Sequence, residues 1–324
     1  MFVLTTWFGR VLGLLALGLV AAMWYFSHRL DQPALDKTTS VIIQKGSSTR
    51  MIEKKLQSLG VVLLPNELVL IEYLLGQDIG HLKAGTYELQ AGITRRELLF
   101  LLQKGSNKRV WLTIPECLTS KEILALLMKD DRLHGPEPKM PKEGMLAPDT
   151  YDVAEANERQ DIVDRLLKIR EEQLSKIWQS RHPDHPLETK EQLLILASIV
   201  EKESGRGSEQ DKIAAVFVNR LKKGMRLQSD PTVIYHLTNG MGKLGRPITR
   251  QDLRMDNPYN TYTRFGLTPS ALCNPSVQAL RATAQYDDTD ALYFVADAEG
   301  GHWFARTLKE HLRNVQKYRR KVQQ

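Results

Sequence analysis

Apolar positions along the chain change their spacing three times. Residues 11–26 are an uncharged, mostly apolar run, and residues 2–8 add apolar length broken only by Arg10. A bilayer-spanning helix needs roughly 20 such residues, and a cation near one end can snorkel to the headgroups. Trp24 and Tyr25 fall where an interfacial aromatic belt would lie, before His28, Arg29 and Asp31 end the run. The pattern predicts one transmembrane helix, with residues 1–29 as a cytoplasmic stub plus anchor. A cleaved signal peptide ending at Val20-Ala21-Ala22 is the competing reading, but aromatics directly after that point favour an anchor. Either reading exports the rest of the chain.

Residues 30–39 are polar and read as a linker. Three similar patches follow. Val41-Ile42-Ile43-Gln44-Lys45-Gly46 leads through Ser47, Ser48 and Thr49 to Met51, Ile52 and Leu56. Tyr87-Glu88-Leu89-Gln90-Ala91-Gly92 leads through Thr94 to Leu98, Leu99 and Leu102. Val110-Trp111-Leu112-Thr113-Ile114-Pro115 leads through Thr119 to Ile123, Leu124 and Leu127. Each predicts a short strand, a tight turn, a hydroxyl cap and a helix. Thr94 with Glu97, and Thr119 with Glu122, have capping-box spacing. Gly46 and Gly92 suit the turns, whereas the third patch has Cys117, so its turn is expected to differ. Strand–helix units of this size resemble the LysM-like module that binds N-acetylated sugar polymers; a plain α+β domain without a ligand is the alternative. The expected boundaries are 40–107 for this small α+β domain and 108–324 for a larger one.

The period then becomes helical. Residues 162–178 are amphipathic, and 181–187, with Pro183 and Pro186, form a break. Thr189 can cap a helix running to about Ser204, ended by Gly205 and Gly207. Ser208 can cap another, ending at Lys222-Lys223-Gly224. A hairpin is expected from residues 292–296 and 302–305, then a basic terminal helix capped by Thr307 and Glu310.

With 45 Lys+Arg against 38 Asp+Glu the chain carries a net charge of +7, which suits an anionic partner. The charge is dispersed, and no zinc-finger or RNP spacing accompanies it, so nucleic acid is not expected as a partner. No metal-ligand spacing is present, and neither a metal nor a cofactor is expected. Cys117 and Cys273 are the two cysteines. They allow one long-range bridge or two buried thiols, and the second reading is favoured.

The most informative segment is Leu193-Leu194-Ile195-Leu196-Ala197-Ser198-Ile199-Val200-Glu201-Lys202-Glu203-Ser204. A helix apolar nearly all round belongs inside a core. Glu203 follows Val200, Ile199 and Leu196 on its face; Glu201 follows Ser198, Ala197 and Leu194, a smaller and partly polar face. A carboxyl against apolar surface, at the negative end of a helix, has a raised pKa. A carboxyl protonated near neutrality is what a general acid for glycosidic cleavage needs. The alternative is two solvated glutamates at a frayed helix end.

Residues 194–203, Asp211-Lys212-Ile213-Ala214-Ala215-Val216-Phe217-Val218-Asn219-Arg220-Leu221 and Gly224-Met225-Arg226-Leu227-Gln228-Ser229-Asp230-Pro231-Thr232-Val233-Ile234-Tyr235 together resemble the endolytic murein transglycosylases (MltG, YceG-like). Asn257-Pro258-Tyr259-Asn260-Thr261-Tyr262, Gly266-Leu267-Thr268-Pro269, Glu143-Gly144 with Pro148-Asp149-Thr150-Tyr151, and Phe294-Val295-Ala296-Asp297 with Gly301-His302 extend the similarity. The resemblance implies an anchored protein of the bacterial cytoplasmic (inner) membrane, its catalytic domain periplasmic. That domain would be α+β, with a lysozyme-like helix carrying one catalytic glutamate. Glu203-Ser204 is similar to the Glu-Ser pair of lysozyme-like lytic transglycosylases, so Glu203 is the expected acid and Glu201 the fallback. Implied partners are peptidoglycan glycan strands, cut between MurNAc and GlcNAc to leave a 1,6-anhydro end, and the synthases that extend them. Asn219, Gln228, Asp230, Thr232, Tyr235, Tyr259, Asn260 and Tyr262 are the polar and aromatic types a sugar cleft uses; each also has an ordinary structural reading. Two departures from the family pattern stand out: Cys117 replaces its usual glycine after Pro-Glu, and residues 270–275 are looser than its glycine-containing version. The rival readings are a hydrolytic muramidase with Asp230 as second carboxylate, and a non-catalytic anchored glycan-binding scaffold.

Overall fold

The computed structural model describes residues 2–44, 46–75, 82–153, 158–204 and 207–323. It divides into two units, Met1–Trp111 with Asp152–Asn157, and Leu112–Tyr151 with Glu158–Gln324. The cut after Trp111 lies a few residues beyond the expected boundary at 107.

In the first unit, α1 (Phe2–Leu30) is long and apolar enough to cross a membrane over Gly13–Leu30, by length and composition. Then come β1 (Thr39–Ile43), α2 (Thr49–Ser58), α3 (Glu67–Leu75), β2 (Gly85–Leu89) and α4 (Arg95–Lys104). β1 and β2 pair antiparallel, with Val41 opposite Tyr87. Their inward residues Val41, Ile43, Tyr87 and Leu89 meet Ile52 and Leu56 of α2 and Leu98 and Leu102 of α4 in one core. Glu53 is buried, and its carboxylate accepts from the Asn66 and Leu68 amides at 2.6 and 2.9 Å, satisfying the start of α3.

The stretch expected as a linker is part of this core. Leu30, Ala34 and Leu35 are buried, Ala34 exchanges backbone bonds with Ile93 and Val62, and the Gly92 amide donates to Leu35. Its polar average conceals apolar residues that an extended segment can turn inward.

Next along the chain come β3 (Trp111–Ile114), which begins at the cut, α5 (Ser120–Lys129) and β4 (Asp149–Asp152), with β3 beside β4. Both expected capping boxes, at Thr94 and Thr119, are formed. The turn between β3 and α5 is not of a different kind: Cys117 adopts φ +64°, in the region Gly46 and Gly92 occupy at +81° and +80°. A side chain there carries steric strain that glycine lacks.

Next come α6 (Arg159–Gln179), α7 (Lys190–Glu203), α8 (Gln210–Lys222), α9 (Asp230–Thr238), α10 (Arg250–Arg254) and α11 (Val277–Ala284). The hairpin of β5 (Tyr293–Ala296) and β6 (His302–Ala305) precedes α12 (Leu308–Val322), whose start carries the expected Thr307–Glu310 box. Thr189 caps α7, accepting from the Gln192 amide. Ser208 does not cap α8: residues Gly207–Glu209 form a 3-10 turn, and α8 starts without a side-chain cap. Gly205 lies outside the described residues.

Every residue of α7 from Leu193 to Val200 is buried, packed by α6, α8, α9 and α11. This is the expected core helix, and each fully buried Leu or Ile contributes about 1.5–3 kcal/mol. Arg170 of α6 is buried as well, and its guanidinium donates to the Leu146 and Pro275 carbonyls. Desolvation lowers its pKa to about 10.

Candidate active site

The two carboxylates ending α7 have different surroundings. Glu201 accepts from the Ser276 amide at 2.9 Å and the Ser276 hydroxyl at 2.7 Å, bracing the start of α11. Glu203 is partly buried and accepts a 2.7 Å hydrogen bond from the Ser229 hydroxyl. Burial raises the Glu203 pKa to about 7; the Ser229 bond opposes this, the nearby Asp230 charge adds to it, and His302 and Arg220 oppose it. The raised value expected from the helical spacing is therefore present at Glu203.

Ser229 is the N-cap of α9, yet it makes no side-chain cap bond. A ring of hydroxyls explains its orientation. The Thr232 hydroxyl donates to the Ser229 carbonyl at 2.6 Å. It therefore accepts from the Thr261 hydroxyl at 2.9 Å, since each hydroxyl has one proton. The Thr261 hydroxyl in turn accepts from the Ser229 amide at 3.0 Å. Both backbone groups of Ser229 are thereby engaged, and its own hydroxyl proton goes to Glu203.

Arg220, on α8, fixes the approach to this point. Its guanidinium donates to the Leu227 carbonyl at 2.6 Å and the Leu292 carbonyl at 2.7 Å, joining the segment before Ser229 to the segment before β5. Gln228, between Leu227 and Ser229, is exposed with φ +52°. Asp230 is exposed and accepts the Tyr262 hydroxyl at 2.6 Å. Burial first, then that bond, pushes the Tyr262 phenol well above its ordinary range. Tyr235 and Tyr259 lie with ring centroids 5.0 Å apart, and the Tyr259 hydroxyl meets Ser270 at 2.8 Å. His302 pairs with Glu209 at 2.8 Å.

Three residues expected among sugar ligands have their side chains engaged by the protein itself. Asn219 donates to the Thr289 and Ala291 carbonyls at 2.6 and 3.1 Å. Asn260 is fully buried; it donates to the Met255 carbonyl at 2.7 Å and accepts from the Tyr262 amide at 2.9 Å. Thr232 belongs to the hydroxyl ring. Buried amides and hydroxyls are satisfied this way because leaving them unpaired costs about 1–3 kcal/mol each. Ser229, Thr261 and Arg220 lie inside longer motifs, and no sequence spacing gives them a role at the carboxyl.

Beside this cluster lies a cavity of about 610 Å³, lined by Cys117, Glu122, Lys202, Pro231, Ile234 and Tyr235 among others. Lys202 and Pro231 are the sequence neighbours of Glu203 and Asp230.

The profile of the YceG-like family matches residues 41–317, a stretch holding all of these groups. The chain belongs to the YceG-like family. The endolytic murein transglycosylase of Streptococcus pneumoniae serotype 2 (strain D39) is 29% identical, over 93% of this chain and 63% of its own length. The endolytic murein transglycosylase of Bacillus subtilis (strain 168) is 38% identical, over 56% of this chain and 49% of its own length. This YceG-like chain thus spans less than two thirds of the length of either relative. The crystal structure of a yceG-like protein from Listeria monocytogenes matches with a TM-score of 0.51 at 28% identity, covering 86% of this chain and 98% of that one.

Proposed function

We propose that this chain is an endolytic lytic transglycosylase of peptidoglycan, anchored in the bacterial inner membrane by α1, with its second unit periplasmic. The observation that carries the reading is the Glu203 carboxyl, raised to about 7 and oriented by Ser229 at the end of a core helix. The names of the relatives support the substrate and the reaction.

In the proposed mechanism Glu203 protonates the glycosidic oxygen leaving C1 of N-acetylmuramic acid, and oxocarbenium character develops at that carbon. The carboxylate then takes the proton of the muramyl C6 hydroxyl as its oxygen closes on C1, forming the 1,6-anhydro ring. A hydrolase of this kind would need a second carboxylate about 5–9 Å away; an internal nucleophile removes that need and gains from proximity. Asp230 is bonded to Tyr262, and its charge helps keep Glu203 protonated. Glu201 is engaged at Ser276, which leaves Glu203 as the acid of choice. In this reading Gln228, Tyr235, Tyr259, Asp230 and Tyr262 meet the sugars, while Asn219, Thr232 and Asn260 shape the groove from behind.

The first unit is proposed as a LysM-like glycan-binding module, on the support of two helices between antiparallel strands and a cavity of about 400 Å³ lined by Gln90, Gly92 and Asn107 among others. Internal cutting of nascent strands would end their growth beside the synthases, a partner class that rests on the family resemblance.

Mass spectrometry of glycan treated with the full chain in detergent tests the reading. Wild type and Glu201→Gln should yield 1,6-anhydro ends, and Glu203→Gln should not. Products heavier by one water at the cut would make the chain a hydrolytic muramidase. Glycan bound but left intact by every form would make it a scaffold.

A further inference from the structure

The two cysteines come from distant parts of the sequence, yet their sulfur atoms lie 3.4 Å apart. The backbone holds them there. The Cys117 amide donates to the Asn274 carbonyl at 2.9 Å, and the Asn274 amide donates to the Leu118 carbonyl at 2.8 Å. The Asn274 side chain adds a 3.0 Å bond to the same Leu118 carbonyl.

Access differs sharply between the two. Cys273 is fully buried, whereas Cys117 is partly exposed and lines the 610 Å³ cavity. Lys202 donates to the Cys117 carbonyl at 3.1 Å, which brings an ammonium to the outer thiol. The Cys273 thiol is the donor toward the Cys117 sulfur, at the same time approaching the Ser198 carbonyl at 3.8 Å. That hydrogen bond first, with Lys202 adding to it, holds the Cys117 thiol below its ordinary range, while burial pushes Cys273 up. An accessible thiol beside a cation, backed by a second thiol, is the arrangement of an attacking and a resolving cysteine.

We propose that Cys117 and Cys273 are a thiol–disulfide modification site, Cys117 attacking and Cys273 resolving. The oxidant is a small-molecule disulfide entering the cavity. The Cys117 thiolate attacks one of its sulfurs, the reagent's S–S bond breaks, and one thiol leaves with a proton. Cys273 then loses its proton and attacks the Cys117 sulfur, expelling the second thiol. Two electrons leave the cysteine pair, and the reagent is reduced to two thiols. From 3.4 Å the sulfurs must approach by roughly 1.35 Å to reach the disulfide distance of about 2.05 Å. The bond would tie the strained turn before α5 to the segment before α11, across the last turn of α7.

Intact-mass and non-reducing peptide analysis of the full chain, treated with oxidised glutathione, tests the site. Wild type should lose two hydrogens and give one peptide pair joining Cys117 to Cys273, and its melting midpoint should rise, then fall back with reductant. A time course should show the glutathione adduct on Cys117 before the bridge. Cys273→Ser should trap that adduct, and Cys117→Ser should leave Cys273 unmodified. The proposal is overturned if wild type keeps the adduct without closing a bridge, if Cys273 reacts as fast as Cys117, or if neither reacts in the folded chain. Glycan cleavage is not part of the readout, so the outcome is independent of the role of Glu203.

Discussion

Glu203→Gln should stabilise the protein at alkaline pH and leave it unchanged in acid. The unfolded chain ionises this carboxyl near 4.5, and the folded chain near 7. Between these values the unfolded state has released the proton and the folded state still holds it. Stability therefore falls as pH rises through the window, and the loss is complete above the folded value. A gap from 4.5 to about 7, at roughly 1.36 kcal/mol per unit, corresponds to about 3 kcal/mol, and nearer 2 once partial solvent access is allowed for. Glutamine keeps the shape and the acceptor for the Ser229 hydroxyl but cannot ionise. Native-state hydrogen exchange of the buried α7 amides reports unfolding of the second unit, so it should be compared at pH 4 and pH 8. The expected result is equal protection at pH 4 and a gain of about 2–3 kcal/mol for the variant at pH 8. An equal gain at both pH values, or a loss at pH 8, would refute the argument that burial holds this carboxyl protonated.

Ser229→Ala removes the Ser229 hydroxyl's bond to Glu203, which lowers that carboxyl's pKa, so the alkaline limb of the pH–rate profile should move to higher pH while the maximal rate falls. Glu201→Gln should keep the cleavage rate within a few fold but weaken the start of α11, at a cost of about 1–2 kcal/mol read as a lower melting midpoint. Gly144→Ala places a methyl 2.8 Å from the Ala271 Cβ and 3.0 Å from Leu194, at φ +87°. It should destabilise by about 2 kcal/mol or more, measured by urea unfolding.

Features fixed by neighbours in sequence were legible from it. The capping boxes at Thr94, Thr119 and Thr307 need only a hydroxyl and a carboxylate three residues apart. Glu203 was legible because the apolar period around it is uninterrupted, so the helix has to be buried and its last face has to carry the carboxyl. Features that depend on distant residues were not. Ser229 is oriented by Thr261, 32 positions away, and no local pattern encodes that meeting. Asn219 and Asn260 carry groups that suit a sugar equally well, and only the tertiary fold shows backbone carbonyls already occupying them. The core role of Leu30, Ala34 and Leu35 was hidden because average polarity says nothing about which few side chains turn inward.

The start of α9 leaves its capping hydroxyl without an amide to serve. A serine there would ordinarily accept from the second or third amide of the helix, but Pro231 has no N–H and the Thr232 amide donates to the Ser229 carbonyl at 3.2 Å, so the hydroxyl turns toward Glu203 without robbing the helix. Selection for heat tolerance alone would therefore spare this junction and act on the buried glutamate instead. A laboratory lineage evolved without a demand for turnover should lose the carboxyl well before the serine.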